Sequence, residues 1–302
     1  MVRSSRQNGM VTMNARPALP FTKGHGTEND FVVVPDPTGE LDLDAELVRR
    51  LSDRRAGIGA DGVIRVVRTE HAGEASVRAQ SREAEWFMDY RNADGSIAEM
   101  CGNGTRVFAA YLVREGWEQG PEFGIATRAG VKYVRVEDER IAVNLGRWRV
   151  ADPERFATDG HDAVVALHQS GPWPGLSMDL GNPHTVVALP EEVDLGALDL
   201  SVMPSVIPMP AQGTNVELAR VTGPGRLQMR VFERGVGETR SCGTGACATA
   251  LAFMLWSGEP SAHEQWQVDL PGGSVQVTAL PSGEVELAGP AELVADGLFV
   301  LG

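Results

Sequence analysis

A chain of 302 residues that is 42% hydrophobic and 23% charged has the profile of a soluble globular protein large enough for one big or two medium domains, and two are expected. Its net charge of -14 repels a phosphate backbone, and no basic stripe interrupts the acidity. Nucleic acid and anionic membranes are thereby excluded as expected partners, which leaves a small-molecule substrate.

From the N-terminus, "MVRSSRQNGMVTMNARPALP" lacks the continuous apolar core of a secretory signal. It reads as a loosely ordered leader over residues 1–20, or as an upstream start ahead of Met10 or Met13. The strongest apolar run, Ala246 to Trp256, falls short of the ~20 residues that span a bilayer. Three cysteines make no disulfide framework in a chain this long and suit reduced thiols in a cytoplasm.

Strand patterns follow in the first half as "DFVVVP", "GVIRVVR", "AEWFMDY", "VKYVRVE" and "RIAVNL". The second half repeats the style with "LSMDLGN", "HTVVAL", "NVELARV", "LQMRVFE", "QWQVDL", "SVQVTAL" and "EVELAG", each bounded by Gly, Pro, Asn or Asp. Helical periodicity is clear in "DLDAELVRRLSDR" and after each of two Cys-Gly motifs. The pattern is α+β, dominated by strands, with one central helix in each half.

Those two motifs, "AEMCGNGTRVFAAYL" and "TRSCGTGACATALAF", put Cys101 and Cys242 in matching places. Asn92 and Glu233 each stand nine positions upstream of their cysteine, and "GTENDFVVVPD" answers "LGNPHTVVALP" earlier in each half. Three landmarks in one order indicate an internal repeat. The halves meet near "LGRWRVADPERF", with Ala151 to Gly175 expected as a connection and the ligand site in the cleft between them.

A Cys-Gly-x-Gly that opens a helix places its thiol against unpaired N–H groups and the positive end of the helix dipole, which is expected to lower the thiol pKa. The same N–H groups bind a carboxylate. Two such motifs related by an approximate twofold set one thiol on each face of an α-carbon, the arrangement for removing a proton from one face and returning one to the other. That is racemisation or epimerisation, and it needs no cofactor. Cys247, without glycines of its own, reads as core packing.

With these motifs in view, the chain resembles the diaminopimelate epimerases from Phe21 to the C-terminus. The resemblance rests on "FTKGHGTENDF", "GIGADG", "NADGSIAEMCGNGTR", "GNPH", "GTNVE" and "ERGVGETRSCGTGACA", in the family's order. It implies two pseudo-symmetric domains, each a mostly antiparallel strand barrel around a central helix, with the active site in the cleft. The expected division is 21–148 plus a C-terminal strand at about 292–302, and 149–291. The implied activity is cofactor-independent interconversion of LL- and meso-diaminopimelate by a cysteine acid/base pair, for lysine and peptidoglycan precursors, in a cytoplasmic homodimer.

Residue by residue, the resemblance makes Cys101 and Cys242 the acid/base pair and Asn29, Asn92, Asn182 and Asn215 substrate ligands. Gly102, Asn103, Gly243 and Thr244 hold the carboxylate of the reacting centre. Glu233 and Arg234 reach substrate polar groups, Arg234 through a bidentate grip on the distal carboxylate. His184 and Glu233 bias which thiol ionises. Two positions depart from the family: Gly62 stands where many relatives carry a substrate-reaching Gln, and Glu28 replaces the usual Gly before "NDF".

Other signals carry less. "GIGADG" fits G-x-G-x-x-G, but a helical pattern precedes it and a strand follows, the reverse of a dinucleotide-binding turn. Cys101, Cys242, Cys247 and His184 lack metal-ligand spacing, so no metal is expected. The rival activities are a proline or hydroxyproline racemase of the same superfamily and, from another class, a non-catalytic thiol/disulfide switch. "MCGNG" and "ERGVGETRSCGTG" favour the diaminopimelate reading over the first.

Overall fold

Two matched series of strands organise the chain in the computed structural model, which describes residues 17–168, 170–258 and 264–301. In the first series Asn29–Pro35 pairs antiparallel with Ala18–Gly26 and parallel with Gly62–Arg68, which is antiparallel to Trp86–Asn92. The helix Gly102–Arg114 follows, then Glu122–Ala126, parallel to Trp86–Asn92, and two antiparallel strands, Lys132–Glu137 and Arg140–Arg147. In the second series Pro183–Ala188 pairs antiparallel with Ser170–Asp179 and parallel with Asn215–Gly223, which is antiparallel to Arg226–Glu233. The helix Gly243–Ser257 follows, then Gln265–Leu270, parallel to Arg226–Glu233, and the antiparallel strands Gly273–Ala279 and Glu284–Gly289. The two series are the same in order and in sense, as the sequence repeat requires.

Each series curls around its own helix. The second helix buries residues all round, including Ala246, Cys247, Ala250, Leu251 and Met254, which is how a helix enclosed by sheet reads. Full burial of a side chain such as Leu251 contributes roughly 1.5–3 kcal/mol. Glu284–Gly289 pairs with Arg140–Arg147 and so joins the series into one sheet, and Glu292–Val300 returns to lie antiparallel to Ala18–Gly26. Cys247 lies in the principal apolar cluster, fully buried.

Two expectations change. Ala18, Leu19 and Pro20, assigned to a loose leader, pair with Val300, Phe299 and Leu298, so strand pairing begins before Phe21; residues 1–16 lie outside the described residues. The span expected as a connection is largely structured: Asp152 caps a helix, Pro153–Asp159, and Ala163–Leu167 pairs with Ser170–Asp179. Among the described residues, no helix is long and apolar enough to cross a membrane.

Candidate active site

Cys101 and Cys242 occupy equivalent places at the starts of the two enclosed helices. Both are N-cap residues with extended backbones, φ −142° and ψ 122° for Cys101, φ −129° and ψ 114° for Cys242. Each sulfur accepts a hydrogen bond from the backbone N–H three residues on, Gly104 to Cys101 at 3.5 Å and Gly245 to Cys242 at 3.4 Å. The thiols thus fill the place that a serine or aspartate oxygen takes in an ordinary cap. All three cysteines are free.

The helix starts meet. A Cβ added to Gly243 would lie 3.2 Å from Oδ1 of Asn103, and Leu287 packs beneath both Gly102 and Gly243. Asn103 is buried and works across the junction: its Nδ2 donates to Asn29 Oδ1 at 3.2 Å and to Ser241 Oγ at 3.1 Å, while its Oδ1 accepts from Arg106 at 3.0 Å. Ser241 also bonds Thr27 at 2.6 Å. Arg106 is fully buried and donates to Thr27 as well. Burial pulls its pKa down to about 10, against the opposing charges of Cys101 and Cys247. Two N-termini converging on one spot present a dense set of N–H donors to an anion.

Around Cys101 stand Asn29 and its partners. The thiol donates to Asn29 Oδ1 at 3.7 Å, and Asn29 Nδ2 donates to Asp61 at 2.8 Å. Asp61 is held in turn by Arg54 at 2.7 Å. Asn92 ends its strand half-buried, bonded to Ser96 Oγ at 3.0 Å within the turn that leads to Cys101.

Around Cys242 the supports are different in kind. Thr244 Oγ1 lies 3.7 Å from the sulfur and accepts from Asn182 Nδ2 at 3.3 Å. His184 is fully buried, its Nδ1 2.6 Å from Oε1 of Glu217, also fully buried. Glu217 reaches the helix start, since a Cβ on Gly245 would lie 2.7 Å from that Oε1 and 3.2 Å from Cys242 Sγ. Asn215 Oδ1 accepts from the backbone N–H of Arg234 at 2.9 Å. Glu233 accepts from the Thr239 hydroxyl, and the exposed Arg234 donates to the carbonyl of Gln212.

Both thiols are held protonated, contrary to the expectation from the helix ends. Burial pushes Cys101 up to about 11; the Gly104 and Asn103 N–H groups pull it down, and the charge of Glu233 adds to the rise. Burial also holds Cys242 well above the usual thiol range, with Glu233 and then Glu217 raising it and the Gly245 N–H lowering it. Desolvation of the thiolate outweighs the N–H donors. Burial likewise raises Glu233, against the Thr239 hydroxyl, with Glu217 adding to the rise.

Asn29, Asn103, Asn182 and Thr244 thus bond at the two helix starts and His184 reaches the second through Glu217, whereas Asn92, Asn215, Glu233 and Arg234 bond to Ser96, the Arg234 N–H, Thr239 and Gln212. The sequence reading passed over Asp61, Thr27, Ser241, Arg106 and Glu217. Glu217 had a signal: in the strand-like "GTNVE" it stands two residues past Asn215 and so shares its face, and the structure sets His184 in register with Asn215 on the adjacent parallel strand. Among the described residues, no three His, Cys, Asp or Glu side chains converge as metal ligands would.

A twofold-repeated sheet with a cysteine at the head of each enclosed helix defines a protein built for proton transfer between two thiols. Solved structures agree in fold: a PhzF-family phenazine biosynthesis protein from Bacillus anthracis matches with a TM-score of 0.63 at 16% identity, over 94% of this chain and 100% of its own. A hydroxyproline epimerase from Agrobacterium vitis matches with a TM-score of 0.62 at 14% identity, over 94% of this chain and 93% of its own. The sequence profile of diaminopimelate epimerase matches residues 21–150 and 176–294. Diaminopimelate epimerases from Thermobifida fusca and Streptomyces coelicolor are 49% and 46% identical to this chain, over 92% and 93% of it and 96% and 95% of their own lengths. The chain belongs to the diaminopimelate epimerase family.

Proposed function

We propose that this protein interconverts LL- and meso-diaminopimelate by a two-thiol proton transfer. The observation that carries the reading is the matched pair of cysteine caps on two abutting helix N-termini. The carboxylate of the reacting centre sits on the N–H groups of Gly102 and Asn103 and of Gly243 and Thr244. One sulfur, as thiolate, takes the α-proton; the other, as thiol, gives its proton to the opposite face of the carbanion, and the roles are exchanged at the end of the turnover. Negative charge that spreads into the carboxylate in the transition state is met by helix-end N–H groups already in place.

Substrate also eases ionisation. The charge of Glu233 raises both thiols. A substrate ammonium beside Glu233 offsets that charge, which lowers the thiols from the value burial sets and lets one of them give its proton to solvent before turnover. Glu233 and His184 thereby bias the thiols, Asn29, Asn92, Asn182 and Asn215 orient the two ends of the substrate, and Arg234 grips the distal carboxylate. We read residues 18–148 with the strand Glu292–Val300 as one domain and 149–291 as the other. The product serves lysine and peptidoglycan precursors, in a cytoplasmic homodimer that takes up neither nucleic acid nor membrane.

The test is proton NMR of LL-diaminopimelate in D₂O with the reduced protein, with L-proline in parallel. Loss of the α-proton signal with formation of the meso isomer, abolished in Cys101→Ala and in Cys242→Ala, is expected. Exchange with proline alone keeps the two-thiol chemistry and overturns the substrate. No exchange with either, from folded and reduced protein, overturns the enzyme reading in favour of a redox switch.

A further inference from the structure

Gly62 and Tyr90 lie on adjacent antiparallel strands, with Ile64 opposite Tyr90 and Asn92 opposite Gly62, so both project from the same face. The tyrosine ring lies directly over the glycine. A Cβ at position 62 would come within 2.5 Å of the ring at Cε2 and 3.2 Å of the phenol oxygen. The space a side chain at 62 would enter is filled by Tyr90 and, at 2.6 Å, by the backbone carbonyl of Arg91. The ring is fixed there by an edge-on contact with Phe31, centroids 5.8 Å apart, and Tyr90 as a whole is buried.

Its hydroxyl makes no hydrogen bond to another described residue, and Tyr90 keeps 7% of its surface exposed. Position 62, beside which the hydroxyl lies, adjoins the thiol site through its chain neighbour. Gly62 follows Asp61, whose carboxylate binds Asn29, and Asn29 accepts from Cys101. Consistent with this placement, burial and then the charges of Cys101, Asp61 and Glu233 hold the phenol above its ordinary value. A neutral oxygen with a free lone pair, near the carboxylates of Asp61 and Glu233, suits a cation.

Resting on the epimerase reading, we propose that the Tyr90 hydroxyl is a substrate-binding group that accepts a hydrogen bond from the ammonium of the reacting amino-acid head. It takes over the reach that a longer side chain at position 62 would have had. Gly62 and Tyr90 then act as one unit: the glycine makes room and the tyrosine supplies the polar atom.

The experiment is steady-state kinetics of Tyr90→Phe on LL-diaminopimelate beside the wild type, with thermal melting of both. Phenylalanine keeps the packing on Gly62 and Phe31 and removes only the oxygen. The expected result is a fall in kcat/KM of about 10- to 100-fold, carried mainly by KM, with melting unchanged, since a hydrogen bond to a charged group is lost. Kinetics within twofold of wild type overturn the proposal, and so does a parallel loss of activity and melting temperature, which marks a packing role. Wild-type protein inactive on diaminopimelate overturns the epimerase reading instead and separates the two failures.

Discussion

His184 and Glu217 meet with Nδ1 2.6 Å from Oε1 and neither side chain reaching solvent. His184 Nε2 and Glu217 Oε2 have no hydrogen-bond partner among the described residues, so this one contact fixes the orientation of both. The pair abuts the helix start capped by Cys242, where a carboxylate is favoured by the dipole. Glu217→Gln keeps the shape and removes the charge that orients the imidazole. Its kcat is expected to fall about 10- to 100-fold, the scale of one charged hydrogen bond, with folding retained. Unchanged kcat would make the pair a structural feature of the barrel alone.

Gly245 stands between these groups and the thiol. Alanine ordinarily stabilises a helix interior by about 1 kcal/mol relative to glycine. Here its Cβ would meet Glu217 Oε1 at 2.7 Å and Cys242 Sγ at 3.2 Å. Gly245→Ala is therefore expected to lose more than tenfold in kcat while urea unfolding moves by no more than about 1 kcal/mol. Full activity in this variant would show that neither group needs its present position.

The thiol shifts give a pH prediction with a definite sign. An unfolded Cys101 loses its proton near 9.0, whereas the folded protein holds it to about 11. Between those values the folded state binds the extra proton, so raising the pH favours unfolding. The stability contributed is complete below pH 9.0 and is lost by about pH 11. Urea unfolding at intervals over that window is expected to show wild type losing stability more steeply than Cys101→Ala. Iodoacetamide labelling of Cys101 should accelerate through the same window; a plateau already at neutral pH would restore a helix-lowered thiol.

How much of this was legible in sequence depends on what holds each element. The cysteine caps were legible because a cap is local: Cys-Gly-x-Gly followed by a helical pattern needs no distant partner. Ala18–Gly26 was not, because "ALPFTKGHG" has little strand propensity and is held between Asn29–Pro35 and Glu292–Val300, nearly 300 residues away in sequence at its far edge. The helix Pro153–Asp159 carried readable signals, an Asp cap and a proline in the first turn, that were overridden by treating the region as a connection. The thiol pKa was misjudged for a further reason. The helix end is written in the sequence, but the burial that outweighs it is a property of two halves closing together.

Arg234 is exposed, and no carboxylate pairs with it among the described residues; its side chain donates to a backbone carbonyl instead. On the reading proposed above, a guanidinium without an acid partner among the described residues is free to take a substrate carboxylate. Arg234→Lys keeps the charge and loses the fork, and KM is expected to rise about tenfold or more with a smaller change in kcat. A fall confined to kcat would place Arg234 with the reacting centre rather than with the distal end.

Glu28 tests the balance between backbone strain and an ion pair. With Thr27 it forms the two-residue turn between Ala18–Gly26 and Asn29–Pro35, and both residues have positive φ, 51° and 62°. That turn geometry favours glycine, and a non-glycine residue in the left-handed region costs roughly 1–2 kcal/mol. Opposing this, Glu28 pairs with Arg240 from the approach to Cys242. Both side chains are substantially exposed, so the pair contributes only about 0–1 kcal/mol. Glu28→Gly also gains backbone freedom when unfolded, which offsets part of the relief. The net expectation is a stability change within about 1 kcal/mol, tending upward, and a midpoint in urea that no longer falls when salt screens the ion pair. A loss well beyond that size would show that the Glu28–Arg240 contact helps fasten the two halves together across the thiol site.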